Sequence, residues 1–250
     1  MYKIVFLRHG ESTWNQKGLF TGWTDVGLTA RGEAEARCAG RALKQRGLAF
    51  DLAYTSWLRR ATRTLRIVLN VLKEENIPIR ADWRLNERHY GNLQGLSKKA
   101  TAKKFGEQQV LIWRRSYDVR PPKISDHNRY NQKYAAKYRG LAVPETESLK
   151  DVVHRVLPLW QKEIVPLIKS KKRIIVAASG NSLRAIVKYL DKLSPREVVN
   201  LNIPTGIPFV YELDRRLRPI KHYYLADERT VRQALDQVKN QGKIKKEKKK

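Results

Sequence analysis

Leu7-Arg8-His9-Gly10-Glu11-Ser12-Thr13-Trp14-Asn15 follows directly on the apolar run Tyr2-Lys3-Ile4-Val5-Phe6, and this junction decides the fold class. The run is short and rich in aromatic and β-branched residues, which reads as a buried strand. Arg8 and His9 then leave its carboxyl end, where open α/β sheets place their ligands. A neutral imidazole there can attack phosphorus in line, and an adjacent guanidinium can hold two phosphate oxygens. For an isolated His9, a hydrogen-bonded structural role would be the ordinary reading. Arg8, Gly10 and Ser12 around it favour the chemical one.

Outward from the junction, strand and helix periodicities alternate, which predicts a parallel sheet covered by helices. Strands are expected over residues 2–7, 52–55 and 173–178. Helices are expected over 29–45, 58–75, 146–169 and 182–190, the third carrying Val153, Val156, Leu157, Trp160 and Ile164 on one core-facing side. Residues 209–213 and 220–225 flank Asp214-Arg215-Arg216 like a hairpin, and Asp227 opens a polar terminal helix. The stretch 120–144 has no clear period and reads as an excursion of the kind that covers a site. One domain over residues 1–241 and a lysine-rich tail over 242–250 account for the chain.

Of 250 residues, 41% are hydrophobic, enough for one substantial core. Cys38, the single cysteine, cannot form an intrachain disulfide and reads as a small packing residue inside a helix. No segment approaches the roughly 20 apolar residues of a membrane span, and the first apolar run is too short for a signal peptide. A cytoplasmic location is the expectation. The charge is unusual, with 52 Lys and Arg against 24 Asp and Glu for a formal +28. The tail contributes a net +5, leaving +23 of that +28 on the rest of the chain. Such a surface permits non-specific binding to nucleic acid or anionic surfaces. It equally describes a solvated basic exterior, which fits better because no interleaved arginine and aromatic pattern accompanies it.

Further arginines fall beside strand ends or in loops: Arg59-Arg60 after Thr55-Ser56, Arg88 beside Glu87, and Arg114-Arg115 after Trp113. The stretches His9-Gly-Glu-Ser-Thr-Trp-Asn15, Phe20-Thr-Gly-Trp-Thr-Asp25, Arg84-Leu-Asn-Glu-Arg-His-Tyr-Gly91, Ile112-Trp-Arg-Arg-Ser-Tyr117, Gly180-Asn-Ser-Leu-Arg184 and Leu201-Asn-Ile-Pro-Thr-Gly206 stand in order along the chain. Together they resemble the cofactor-dependent phosphoglycerate mutases of the histidine phosphatase superfamily. The resemblance implies a three-layer α/β fold, a mainly parallel sheet with helices on both faces, assembled as a homodimer or homotetramer. It implies interconversion of 3- and 2-phosphoglycerate in glycolysis and gluconeogenesis, primed by 2,3-bisphosphoglycerate and using no metal.

By the same resemblance His9 is the phosphorylated nucleophile, Arg8 and Arg60 bind the transferring phosphoryl group, and Glu87 is the general acid and base. Ser12, Asn15, Thr21, Gly22, Tyr90, Lys98, Arg114, Arg115, Gly180 and Asn181 match the positions that line the substrate pocket, and the long segment 88–138 resembles the mutase lid. Crowding by Arg84 and Arg88 is expected to ionise Glu87. One position departs: the family has histidine where this chain has Ser179. Serine cannot be cationic, so a donor to the charge that develops on the phosphoryl oxygens is lost. Three functions stay open: a mutase impaired at Ser179, a catalytically inactive anion-binding or scaffolding protein, and a basic nucleic-acid-associated protein on the same fold.

Overall fold

The computed structural model describes residues 1–241; the tail at 242–250 lies outside them. The chain runs β1 (Tyr2–Arg8), α1 (Thr13–Gln16), α2 (Ala30–Gln45), β2 (Leu52–Thr55), α3 (Arg59–Leu72), β3 (Ile79–Ala81), α4 (Lys98–Phe105) and α5 (Glu107–Arg115). It continues through α6 (Leu149–Leu159), α7 (Val165–Lys169), β4 (Ile174–Ala178), α8 (Gly180–Leu190), α9 (Glu197–Asn200), β5 (Phe209–Leu213), β6 (Pro219–Tyr224) and α10 (Glu228–Asn240). One six-stranded sheet has the order β3-β2-β4-β1-β5-β6. The first four strands in that order are mutually parallel, β5 runs antiparallel to β1, and β6 returns antiparallel to β5, so the sheet is mixed and mainly parallel.

Strand alternation divides the core in two, because successive side chains point to opposite faces. From β1 and β4, Ile4, Phe6, Val176 and Ala178 face α6 and α8. Val5, Leu7, Ile175 and Ala177 face the other way, onto Ala39 and Leu43 of α2 and Leu65 and Val68 of α3. Both faces of these strands are covered, which is why they read as continuous apolar runs. Phe6 sits in an aromatic nest, its ring centroid 5.3 Å from Phe209, 5.7 Å from Tyr211 and 6.1 Å from Trp160.

Several boundaries shift for local reasons. The helix expected over 58–75 stops at Leu72, because Lys73 takes a left-handed backbone with φ 61°. The helix expected over 146–169 begins at Leu149, after a capping box in which Ser148 and Asp151 satisfy each other's backbone donors. It is then interrupted by a wide turn over Trp160–Ile164. Pro166 has no N–H to offer the carbonyl four residues back, and the Val165 N–H reaches instead to the Trp160 carbonyl. The buried stripe of Val153, Val156, Trp160 and Ile164 survives this, with Leu157 at its margin. The helix expected at 182 begins at Gly180, directly after β4. Edge strand β3 escapes the periodicity because all three of its residues are exposed. Cys38 is exposed on α2 rather than packed, its thiol 3.0 Å from the Arg41 guanidinium.

Candidate active site

The site forms where β1 and β4 end side by side. Arg8 pairs with Ala178 in the parallel register, and the His9 N–H donates to the Ala178 carbonyl at 3.1 Å. Residue 179 therefore leaves the sheet next to His9. Gly10 must be glycine, since a Cβ there would lie 2.2 Å from the Gly32 carbonyl oxygen at the start of α2. That crossing of backbones turns the chain so that the His9 ring stays at the strand ends. A Cβ on Gly180 would sit 3.3 Å from Arg8 Nε, so glycine also keeps the first turn of α8 close to that guanidinium. Arg8 is anchored by donation from Nη1 to the Ile203 carbonyl at 2.7 Å and by the Gly206 N–H on its own carbonyl. This explains the Leu201–Gly206 motif.

His9 is buried and its protonation is fixed by its neighbours. Arg60 Nε lies 3.2 Å from His9 Nε2, and a guanidinium can only donate, so Nε2 carries the lone pair. The proton then resides on Nδ1, which donates to the Gly10 carbonyl at 2.7 Å. Burial, reinforced by the charges of Arg60 and Arg8, pushes the imidazole well below its ordinary 6.5 despite the Gly10 bond. The result is a neutral nucleophile whose Nε2 lone pair is directed at the Arg60 guanidinium, among the cations that would hold a phosphoryl group.

Glu87 enters the same pocket from the loop after residues 83–85. Burial raises its pKa, but hydrogen bonds from the Asn181 side chain at 2.6 Å and the Arg88 backbone at 2.7 Å, with the charges of Arg60 and Arg8, bring it below the usual carboxylate value. The partners differ from those expected. Arg84 turns away to pair with Asp82 and Glu163, and the Arg88 side chain donates to the carbonyls of Trp113 and Arg114. Arg84 sits in the turn at 83–85 and the Arg88 side chain reaches α5, so of the two only the Arg88 backbone stays beside the Glu87 carboxylate.

The loop carrying Glu87 is clamped by a buried ion pair. Arg155 of α6 meets Glu147 at 2.6 Å and donates to the carbonyls of Arg84, Asn86 and Glu87, while Glu147 accepts from the His89 N–H at 2.8 Å. Arg155→Met should cost about 3–5 kcal/mol, because it leaves a buried carboxylate without its charge partner along with the carbonyls of Arg84 and Glu87. Urea denaturation measures this, and the loss should shrink when Glu147→Gln is added; a cost under about 1 kcal/mol would contradict the clamp.

Arg8, Arg60, Lys98, Arg114, Arg115 and Arg184 line the pocket against the lone carboxylate of Glu87, together with His9, Asn15, Thr21, Tyr90, Gly180 and Asn181. Burial and mutual repulsion lower Lys98 well below 10.5 and bring Arg60 and Arg115 to about 10. The expected residues thus converge, with three standing behind the lining. Ser12 spends its hydroxyl on the cap of α1 and on Asn15, and the Gly22 carbonyl accepts from Arg60 at 2.8 Å. Ser179 is fully buried at the N-cap of α8, and its hydroxyl has no hydrogen-bond partner.

Four lining residues were not singled out from sequence. Arg184 belongs to a quoted motif and could have been found from helix periodicity, four residues on from Gly180 and three from Asn181. Ile203 likewise belongs to the quoted motif at 201–206, whereas Val238 and Gln241 carry no such signal. Gln241 places its side-chain oxygen 3.0 Å from Lys98 Nζ and its backbone carbonyl on Arg114, and the Val238 carbonyl meets Arg115 at 3.4 Å. The end of α10 thus crosses the cation-lined mouth.

Neutral His9 and His89, the latter held at about 4 by burial, bind fewer protons folded than unfolded between the ordinary histidine value of 6.5 and their lowered values. Stability is therefore complete above about pH 6.5 and lost as the pH falls. The midpoint of thermal unfolding should decline between pH 7 and 4.5, with a shallower slope in His9→Gln; a rising midpoint would refute the neutral assignment.

A family profile described as the histidine phosphatase superfamily, branch 1, matches residues 4–224. Among solved structures, a mycobacterial glucosyl-3-phosphoglycerate phosphatase is similar at a TM-score of 0.67 and 23% identity, covering 90% of this chain and 97% of that one. The α-ribazole phosphatase from Shigella flexneri gives a TM-score of 0.62 at 19% identity, covering 88% and 94%. YhfR of Bacillus stearothermophilus gives 0.61 at 22%, covering 85% and 91%. At these identities the likeness speaks for the fold. No helix among the described residues is long and apolar enough to cross a membrane.

Proposed function

Because the chain belongs to the histidine phosphatase superfamily, branch 1, and sets a neutral histidine beside an ionised glutamate in a cation-lined pocket, we propose that it is a phosphoglycerate mutase working through phospho-His9. In this reading His9 Nε2 attacks phosphorus, the bond to the donor oxygen breaks, and Glu87, which takes up a proton from solvent as the donor's negative charge enters the pocket, gives that proton to the oxygen. In the return step a substrate hydroxyl attacks phospho-His9, its proton passes to Glu87, and the electron pair of the P–N bond returns to Nε2. Arg8 and Arg60 hold the phosphoryl oxygens throughout.

The observation that carries the mutase reading over simple hydrolysis is the extension of the cations past His9. Lys98 of α4 and Arg114 and Arg115 of α5 line the pocket beyond the phosphoryl site, which suits a ligand with a carboxylate as well as phosphate. The pocket fits 2,3-bisphosphoglycerate on the same ground, and buried donors of Arg8 and Arg184 still lack partners. Bound there, that compound supplies the priming phosphoryl group. A second reading, an anion-binding protein without turnover, is favoured by Ser179, whose short neutral side chain stands where the resemblance places a second histidine.

Intact mass after incubation with 2,3-bisphosphoglycerate separates the two. One phosphoryl adduct, absent from His9→Ala, supports the enzyme. No adduct at saturating donor, alongside a raised unfolding temperature, supports the binding protein.

A further inference from the structure

Asn181 presents two chemically different ends, and the residues around it leave one orientation. Its Nδ2 lies 2.6 Å from Glu87 Oε1, and its Oδ1 lies 2.7 Å from Arg184 Nη1. An ionised carboxylate can only accept and a guanidinium can only donate, so the amide is locked with nitrogen toward Glu87 and oxygen toward Arg184. Arg184 is itself fixed: Nη2 donates to the Val198 carbonyl at 2.6 Å, and the side chain is 3% exposed. The chain Val198–Arg184–Asn181–Glu87 is rigid from α9 through α8 to the site. Without Arg184, the amide can rotate and present its oxygen to Glu87, an arrangement that repels a carboxylate and accepts from a carboxyl.

We propose that Arg184 is a positioning residue for proton transfer, orienting Asn181 so that Glu87 meets the substrate hydroxyl as a carboxylate. This rests on the mutase reading for its catalytic consequence, while the orientation itself does not. The hydroxyl's proton goes to Glu87 as its oxygen bonds to phosphorus; a Glu87 already protonated cannot take it. The charges facing Glu87 are Arg8 from β1, Arg60 from α3, Lys98 from α4, and Arg184 itself, with Tyr90 beside them. Losing Arg184 therefore removes one distant charge as well as the orienting bond. Arg184→Lys keeps the charge and one donor, and so isolates the bond.

Infrared spectroscopy of protein carrying 13C-labelled glutamate carboxyls, with Glu87→Gln as the difference reference, reads the ionisation of Glu87 without any turnover. In Arg184→Gln its midpoint should rise by about one pH unit or more, the scale of one hydrogen bond to a charged group. Arg184→Lys should recover most of that. Should Arg184→Gln not fold, Asn181→Ala carries the test: the midpoint rises, and adding Arg184→Lys moves it no further. An unchanged midpoint in the folded variants overturns the proposal.

Kinetics supply the second readout. At pH below the Glu87 midpoint, transfer from phospho-His9, loaded by 2,3-bisphosphoglycerate, to 3-phosphoglycerate, whose hydroxyl must give Glu87 its proton, should lose about tenfold in rate in Arg184→Gln, with KM changed less. Phosphorylation by p-nitrophenyl phosphate, whose leaving group needs none, should change less than about twofold. Equal losses in that transfer and in loading by p-nitrophenyl phosphate, or a loss confined to KM, would make Arg184 a structural or substrate-binding residue and overturn the proposal. If wild type forms no adduct with either donor while the infrared midpoint still shifts, the mutase reading fails and the orienting role stands.

Discussion

His9→Ala is expected to abolish both the phosphoryl adduct and turnover, a loss on the order of 10⁴ or more, as for removal of a nucleophile from a group that acts as a unit. Among the described residues no other histidine lines the pocket. His89 is buried against Gln132 and the Gly91 N–H, and its ring faces Trp23 rather than the pocket. Glu87→Gln should behave differently, lowering the chemical step by about 10²–10⁴ while sparing anion affinity, because the amide keeps the shape but cannot exchange a proton. Steady-state kinetics with isothermal titration by an unreactive phosphate analogue measure both. Turnover that survives His9→Ala ends the phosphohistidine mechanism.

Ser179→His should raise turnover by about 10²–10³, the usual worth of one preorganised donor to charge developing in transfer, with a smaller change in KM. The backbone is already in place: β4 ends beside β1, Gly180 stays close to Arg8, and α8 starts in register behind residue 179. The serine hydroxyl makes no hydrogen bond that the exchange would sacrifice. Burial beside Arg8 would hold an imidazole there below the ordinary histidine value of 6.5, as it does His9, so it serves as a neutral donor at neutral pH. A revertant no faster than the parent, in folded protein at equal 2,3-bisphosphoglycerate, moves the anion-binding reading ahead.

Much of this site was legible because its residues sit in short local patterns. The apolar run before Arg8 and His9 announced a strand end, and the family resemblance placed Gly180 and Asn181 after residues 174–178. Alternating periodicities gave the layered α/β architecture, and turn residues gave the hairpin of β5 and β6. Edge strand β3 was invisible because none of its residues is buried, and the wide turn at Trp160–Ile164 because a proline's missing donor shows only once the helix is built.

What the chain determined alone was the set of chemical groups and the order in which strands deliver them, since burial periodicity and strand ends are local properties of sequence. The tertiary structure decided which charges those groups meet. Glu87 lies between Arg84 and Arg88 in the chain, yet it is held ionised by Asn181 and the charges of Arg60 and Arg8, and the mouth of the pocket is crossed by Gln241, over a hundred residues from the arginine it touches. Electrostatic and hydrogen-bond energies depend on distance in space, and only packing α3, α8 and α10 against one end of the sheet sets those distances.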